Sequence, residues 1–176
     1  INQGLQAAGH QTLIIHGAID AGEGSLEHLP GESGVRTLRL RHLGRRISPL
    51  GDVRAFAQLV AAVFRESPDV VPTHTAKAGV LGRLAAFVFN ATRRGPRRCL
   101  VVHTYHGHVM EAYFTPGVSR LIGMGERALA AITDRIVTLS PLQRRDIDER
   151  LAIGYQDKTV VVPLGLELDN LLELDS

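Results

Sequence analysis

The stretch DVVPTHTAKAGVLGRLAAFVFNATRRGPRRCLVVHTYHGH, residues 69–108, changes its hydrophobic period twice. Asp69–Thr73 (DVVPT) is a short β-branched run, which favours a strand. From Lys77 to Thr92 the apolar residues recur at three- and four-residue spacing, the period of an amphipathic helix. An arginine-rich break follows, and Leu100–His103 (LVVH) returns to the strand pattern. Strand, helix and strand in that order form a crossover unit, whose two strands run parallel.

The same alternation continues outward on both sides. Gln11–His16 (QTLIIH) and Val35–Leu40 (VRTLRL) precede it as strands, with a helix over Pro49–Arg65. Helices over Val118–Ile132 and Pro141–Leu151 and strands over Arg135–Leu139 (RIVTL) and Thr159–Val162 (TVVV) follow. The expected fold is therefore α/β: a Rossmann-like, three-layer domain with a parallel sheet between helices. Ser48-Pro49 and Ser140-Pro141 each read as a helix start, a capping hydroxyl followed by proline in the first turn. Gly79 and Gly82 would let their helix pack closely on the sheet. Ile1–Gly9 reads as the tail of an amphipathic helix and not as a signal peptide, so the true N-terminus is expected to lie upstream. Gly17–Gly34, glycine-rich and acidic, reads as an exposed loop. Pro163–Ser176 turns at Pro163 and Gly165 and runs into an acidic stretch that looks like a domain connection.

With 176 residues, 44% of them hydrophobic and 22% charged, the chain fits one domain and is short for a two-domain enzyme. No run approaches the roughly 18 apolar residues that a membrane span needs. The single cysteine, Cys99, cannot pair internally and reads as a buried small apolar residue, pointing to a reducing, cytoplasmic compartment. Net charge is +2, and all the basic residues but Lys77 and Lys158 are arginine. They gather at Arg36–Arg46 and Arg93–Arg98, either as solvated loops or as a peripheral contact with an anionic membrane. Nucleic acid is a poor partner for them, since no aromatic residues interleave to stack on bases.

In an open parallel sheet, ligands bind beyond the carboxyl ends of the strands. Two segments lie there. Thr73–Gly79 carries His74, Thr75 and Lys77 into a helix N-terminus. Its backbone N–H groups could hold a phosphate or carboxylate, or the threonines could simply cap the helix. His103-Thr104-Tyr105-His106-Gly107-His108 follows the second strand of the unit, and packing alone would not call for three imidazoles in six residues. Histidine can orient a hydroxyl or stabilise developing charge, and Gly107 admits a close ligand. Zinc fits poorly, because the histidines lie on a turn and no cysteine assists. The chain has no Gly-x-Ser-x-Gly elbow, no Gly-x-Gly-x-x-Gly turn and no Walker A loop. Glu126 could point a carboxylate to the crevice or pair with an arginine at the surface. Asp134 reads as a helix-end or turn residue.

SPLGDVRAFAQL, PDVVPTHTAKAGVLGRLAA, VVHTYHGHVMEAYF, ERALAAITDRIVTLSPLQRRDI and KTVVVPLGLELD, in that order, resemble the N-terminal domain of retaining, B-type-fold glycosyltransferases of family four, the group 1 glycosyltransferases. The resemblance implies an acceptor-side half over residues 1–165, its first strand and glycine-rich loop lying before Ile1, and the start of an interdomain linker over 166–176. It implies metal-independent transfer, without a cofactor, from a nucleotide sugar held mainly by a second domain to an acceptor glycan, lipid-linked or small. It places His106 on the donor sugar as the catalytic residue, with His74, Thr75, Lys77, His103, Tyr105, Gly107, His108 and Glu126 as substrate-binding residues. Two positions depart from the pattern: Leu164 stands where asparagine is common and Pro72 where another histidine often stands. The work implied is cell-envelope or extracellular glycan synthesis from the cytoplasm, at the inner face of the membrane. Competing readings are a non-catalytic domain that binds a sugar phosphate or a protein, and a sugar-nucleotide epimerase, which would need a carboxylate acid/base pair that the sequence does not offer.

Overall fold

The computed structural model describes residues 2–17, 34–44, 46–93, 98–107, 116–151 and 157–165. His108, the glycine-rich segment 18–33, the arginines at 94 and 97 and the stretch 166–176 lie outside them. The chain divides into two compact units, Ile1–Ser67 and Pro68–Ser176.

The first unit holds α1 (Asn2–Ala7), β1 (Leu13–Gly17), β2 (Arg36–Leu40) and α2 (Pro49–Glu66). β1 and β2 pair in parallel, Leu13 opposite Arg36 and Gly17 opposite Leu40. Gly17 is required by space: a Cβ there would run into the Leu43 carbonyl. α2 buries Ala55, Leu59, Ala62 and Val63, one helical face, and leaves Leu50, Val53 and Phe64 exposed. Pro49 opens the helix as expected, but the Ser48 hydroxyl makes no capping bond. Asp52, inside the first turn, serves a different donor, its Oδ2 accepting from the N–H of Ser48 itself at 3.0 Å.

The second unit holds β3 (Val70–His74), α3 (Ala76–Thr92), β4 (Leu100–Thr104), α4 (Pro116–Ala131), β5 (Arg135–Thr138), α5 (Pro141–Leu151) and β6 (Thr159–Val161). Its four strands lie in the order β3-β4-β5-β6, all parallel. Among the described residues the strands form one two-stranded and one four-stranded sheet. Val101 and Ile136, fully enclosed, form the middle of the second unit's core with Ala85, Ala86, Phe89, Cys99 and Ala130. α3 lies against β3 and β4, and its two glycines set the approach. A Cβ at Gly79 would stand 2.5 Å from the His103 ring, and one at Gly82 would stand 2.8 Å from the Thr73 methyl.

Side chains tie the ends of these elements together. The Asn90 amide brackets Cys99, donating to its carbonyl and accepting from its N–H, both at 2.9 Å. Cys99 is buried as expected, and burial pushes its thiol up to about 11. Asp134, between α4 and β5, accepts from the Val101 N–H at 2.8 Å and pairs with Arg98 at 3.0 Å, which is the turn role expected of it. Ser140 does cap α5, its hydroxyl accepting from the Gln143 N–H at 3.1 Å. Among the described residues no helix is long and apolar enough to cross a membrane.

Pro72 sits inside β3, the rim strand of the four-stranded sheet. The Asp69 carbonyl accepts from the Leu100 N–H, so by strand alternation Val71 and Thr73 face β4 while Val70, Pro72 and His74 face away. The missing proline N–H therefore takes nothing from the β3–β4 ladder.

Candidate functional site

β3 and β4 are neighbours in register, His74 opposite Thr104, so their carboxyl ends come together. His74 closes β3, and His106 lies two residues past β4. His74 Nδ1 and His106 Nε2 are 2.9 Å apart, with the rings tilted 42° and their centroids 5.1 Å apart. A neutral imidazole has one donor and one acceptor nitrogen, so this pair holds together only while at least one ring is neutral. Partial burial, then the charge of His106, lowers the His74 pKa below the usual histidine value. Both rings are exposed enough to meet a ligand.

Thr75 makes the turn from β3 into α3 at φ 62° and ψ 167°, and its side chain makes no capping bond. A positive φ is strained for a β-branched residue, by an amount of about 1–3 kcal/mol. Such strain is a feature that functional turns often carry. Thr73, the other capping candidate, points its hydroxyl elsewhere, onto the Val102 carbonyl at 3.1 Å. Lys77 is half-buried in the first turn of α3.

Beneath the exposed pair lies a closed polar layer. His103 is 2% exposed, its Nδ1 standing 2.9 Å from Thr73 Oγ1. The threonine's single proton is spent on Val102, so Nδ1 carries the proton and donates. Burial, then the Arg83 charge, lowers the His103 pKa to about 3, which keeps the ring neutral. The Tyr105 ring meets His103 edge-on, centroids 4.6 Å apart, and its hydroxyl donates to Glu126 Oε2 at 2.7 Å. Burial, then the Glu126 charge, raises the Tyr105 pKa, so its hydroxyl stays protonated. Arg83, fully enclosed, donates through one terminal nitrogen to both Glu126 oxygens, at 3.0 and 3.3 Å, and through Nε to the Gly79 carbonyl at 3.1 Å. Its other terminal nitrogen has no partner among the described residues.

Two sequence expectations are corrected here. His103 does have a packing reason, since the ring fills the space that Gly79 leaves and satisfies Thr73. Glu126 does pair with an arginine, but inside the fold and not at the surface, and its carboxylate is shared with Tyr105. Of the remaining expected residues, His74 and His106 are brought together and Gly107 adjoins them, while His108 lies outside the described residues.

The sequence reading missed two residues. Arg83 lies on the buried stripe of α3 with Gly79, Gly82 and Ala86, and a charge on such a stripe is itself the signal. Gln143 stands three residues after the capping Ser140, the spacing of a capping box. Its Oε1 accepts from the Leu139 N–H at 2.7 Å, and its Nε2 donates to the carbonyls of Tyr105 and Gly107 at 3.2 and 3.0 Å. Among the described residues no group of three or more His, Cys, Asp or Glu could hold a metal ion.

Parallel strands crossed by helices, with polar side chains gathered past the carboxyl ends of β3 and β4, define a Rossmann-like α/β chain, and solved structures share that fold. A glycosyltransferase from Rickettsia africae matches 96% of the chain at a TM-score of 0.67 and 15% identity, through 38% of its own length. HepE from Anabaena, solved with UDP and glucose, matches 88% at a TM-score of 0.59 and 16% identity, through 38% of its length. The chain belongs to the Glycosyl transferase 4-like domain family, which it matches over residues 1–165. The UDP-Gal:alpha-D-GlcNAc-diphosphoundecaprenol alpha-1,3-galactosyltransferase of Escherichia coli is 30% identical over 138 residues, 78% of this chain. The chain spans 34% of that enzyme's length.

Proposed function

We propose that the chain is the acceptor-side half of a retaining glycosyltransferase that moves a sugar from a nucleotide-activated donor onto a cell-envelope glycan. The observation that carries this reading is the His74–His106 imidazole pair, placed past the strand ends where open α/β sheets take ligands, in a chain of this family. The E. coli relative is named for a UDP-sugar donor and a lipid-diphosphate acceptor, which favours the same two classes of substrate here.

In this reading His106 hydrogen-bonds the sugar being transferred and favours its oxocarbenium-like transition state. His74 holds the ring in place from the other side. The work is positioning and electrostatics, with no attack by a protein nucleophile. Thr75 and Lys77, at the start of α3, face the acceptor's anionic group. The donor diphosphate is left to a second domain and no metal takes part, so turnover should persist in excess chelator. The enzyme works at the cytoplasmic face of the membrane, where a lipid-linked acceptor would be presented.

The test is His106→Ala in the enzyme that contains this chain, assayed with UDP-sugars and lipid-diphosphate acceptors. Turnover should fall by about 100-fold, the scale of losing one well-placed hydrogen-bonding group. The melting temperature should hold, because the ring is exposed. Unchanged turnover would remove His106 from the reaction.

A further inference from the structure

His106 stands on a turn, and a turn must itself be held if its side chain is to be placed to within a fraction of an ångström. One end is secured: the Tyr105 N–H donates to the Val137 carbonyl at 3.0 Å, and the Tyr105 hydroxyl rests on Glu126. The other end, Gly107, is exposed and has no side chain of its own to anchor it.

Gln143 reaches it from α5. The side chain is 7% exposed, and its Nε2 spends one proton on the Tyr105 carbonyl and the other on the Gly107 carbonyl. The two accepting carbonyls flank His106. The other arm of the same amide is fixed by the Leu139 N–H, and the backbone of Gln143 is fixed by the Ser140 cap. An amide is the side chain that suits this place: a carboxylate could accept from Leu139 but has no N–H for the carbonyls, and a thioether of equal length offers neither.

We propose that Gln143 is a positioning residue of this site, clamping the 105–107 turn so that His106 Nε2 meets His74. Its catalytic consequence rests on the glycosyltransferase reading above, whereas the placement of the ring does not. Truncating the clamp leaves the strands and α5 in place and lets the turn drift. A drift of about 1 Å at a reacting group is enough to cost on the order of 100-fold in rate.

The experiment follows the histidine side chains by NMR in the enzyme that contains this chain, for wild type, Gln143→Met, Gln143→Glu and, as a control on the helix start alone, Ser140→Ala. In wild type the His74 and His106 rings give a mutual NOE, and His74 titrates below the ordinary histidine value. Gln143→Met is expected to abolish the NOE and raise the His74 midpoint toward the ordinary value, with His103 still neutral. Gln143→Glu, which keeps the bond from Leu139 and so protects the fold, is expected to abolish the NOE as well. Ser140→Ala should lower the melting temperature and leave both signals. Retention of the NOE in a folded Gln143→Met or Gln143→Glu protein, or its loss in Ser140→Ala, would overturn the proposal. In the enzyme that contains this chain, Gln143→Met should then lower kcat by tenfold or more, about the scale expected for a misplaced group, and leave donor KM within about twofold. An NOE lost without any fall in kcat would leave the clamp standing and sink the role of His106 in transfer.

Discussion

His103 shows how far one missing side chain upstream can change the meaning of a residue. Read as part of a histidine cluster it invites a ligand; enclosed against Gly79 and bonded to Thr73, it is a core residue that resists protonation. Its pKa, lowered to about 3, lies below the ordinary unfolded value near 6.5, so the unfolded chain takes up a proton that the folded chain refuses. Stability from this residue is full above about pH 6.5 and is lost as pH falls toward about 3, at up to about 1.4 kcal/mol per pH unit. His74, also lowered, acts in the same direction. His103→Gln keeps a donor for Thr73 and removes the titration. Urea melts should therefore find the variant less stable than wild type at pH 7 by about 1–3 kcal/mol, with the gap narrowing at pH 5. Parallel pH dependences in the two proteins would show that His103 takes up its proton without unfolding.

At the scale of elements, local periodicity was enough to place every described helix and strand of the second unit to within about two residues. α5 was bounded at Pro141 and Leu151, as the structure has it. These signals are carried within a single run of sequence, which is why they survive without tertiary information. What joins the elements was not carried that way. ERALAAITD shows that Glu126 is helical, but whether its carboxylate meets water or Arg83 depends on a side chain on α3, 43 residues away. The pair is buried on both sides, with Arg83 fully enclosed. Glu126→Ala should accordingly cost about 3–5 kcal/mol, the loss that follows from stranding a buried charge, and should also free the Tyr105 hydroxyl. Glu126→Gln, which keeps acceptors for both partners, should cost less. A loss under 1 kcal/mol for Glu126→Ala in denaturant melts would mean that water reaches Arg83 once the carboxylate is gone. Gln143 was missed although the Ser-Pro-Leu-Gln run at residues 140–143 carries a capping-box spacing, and its reach to the 105–107 turn needed the fold.

At the scale of the whole molecule, the chain matches its family over nearly its full length and spans about a third of the E. coli relative. The donor diphosphate is proposed to be held by residues outside it, so the chain alone should transfer no sugar from any nucleotide sugar in a panel assay. Turnover by the 176 residues alone would overturn that division of labour. Within the four-stranded sheet of the second unit, β3 is the outermost described strand, and Pro72 sets what can pair with it. Val70 and His74 direct their backbone groups outward on either side of Pro72, which has a carbonyl but no donor. Within the second unit, any strand seated on that edge, the chain's own or a foreign one, would have to pair through the positions of Val70 and His74, because the ladder lacks a donor at its midpoint.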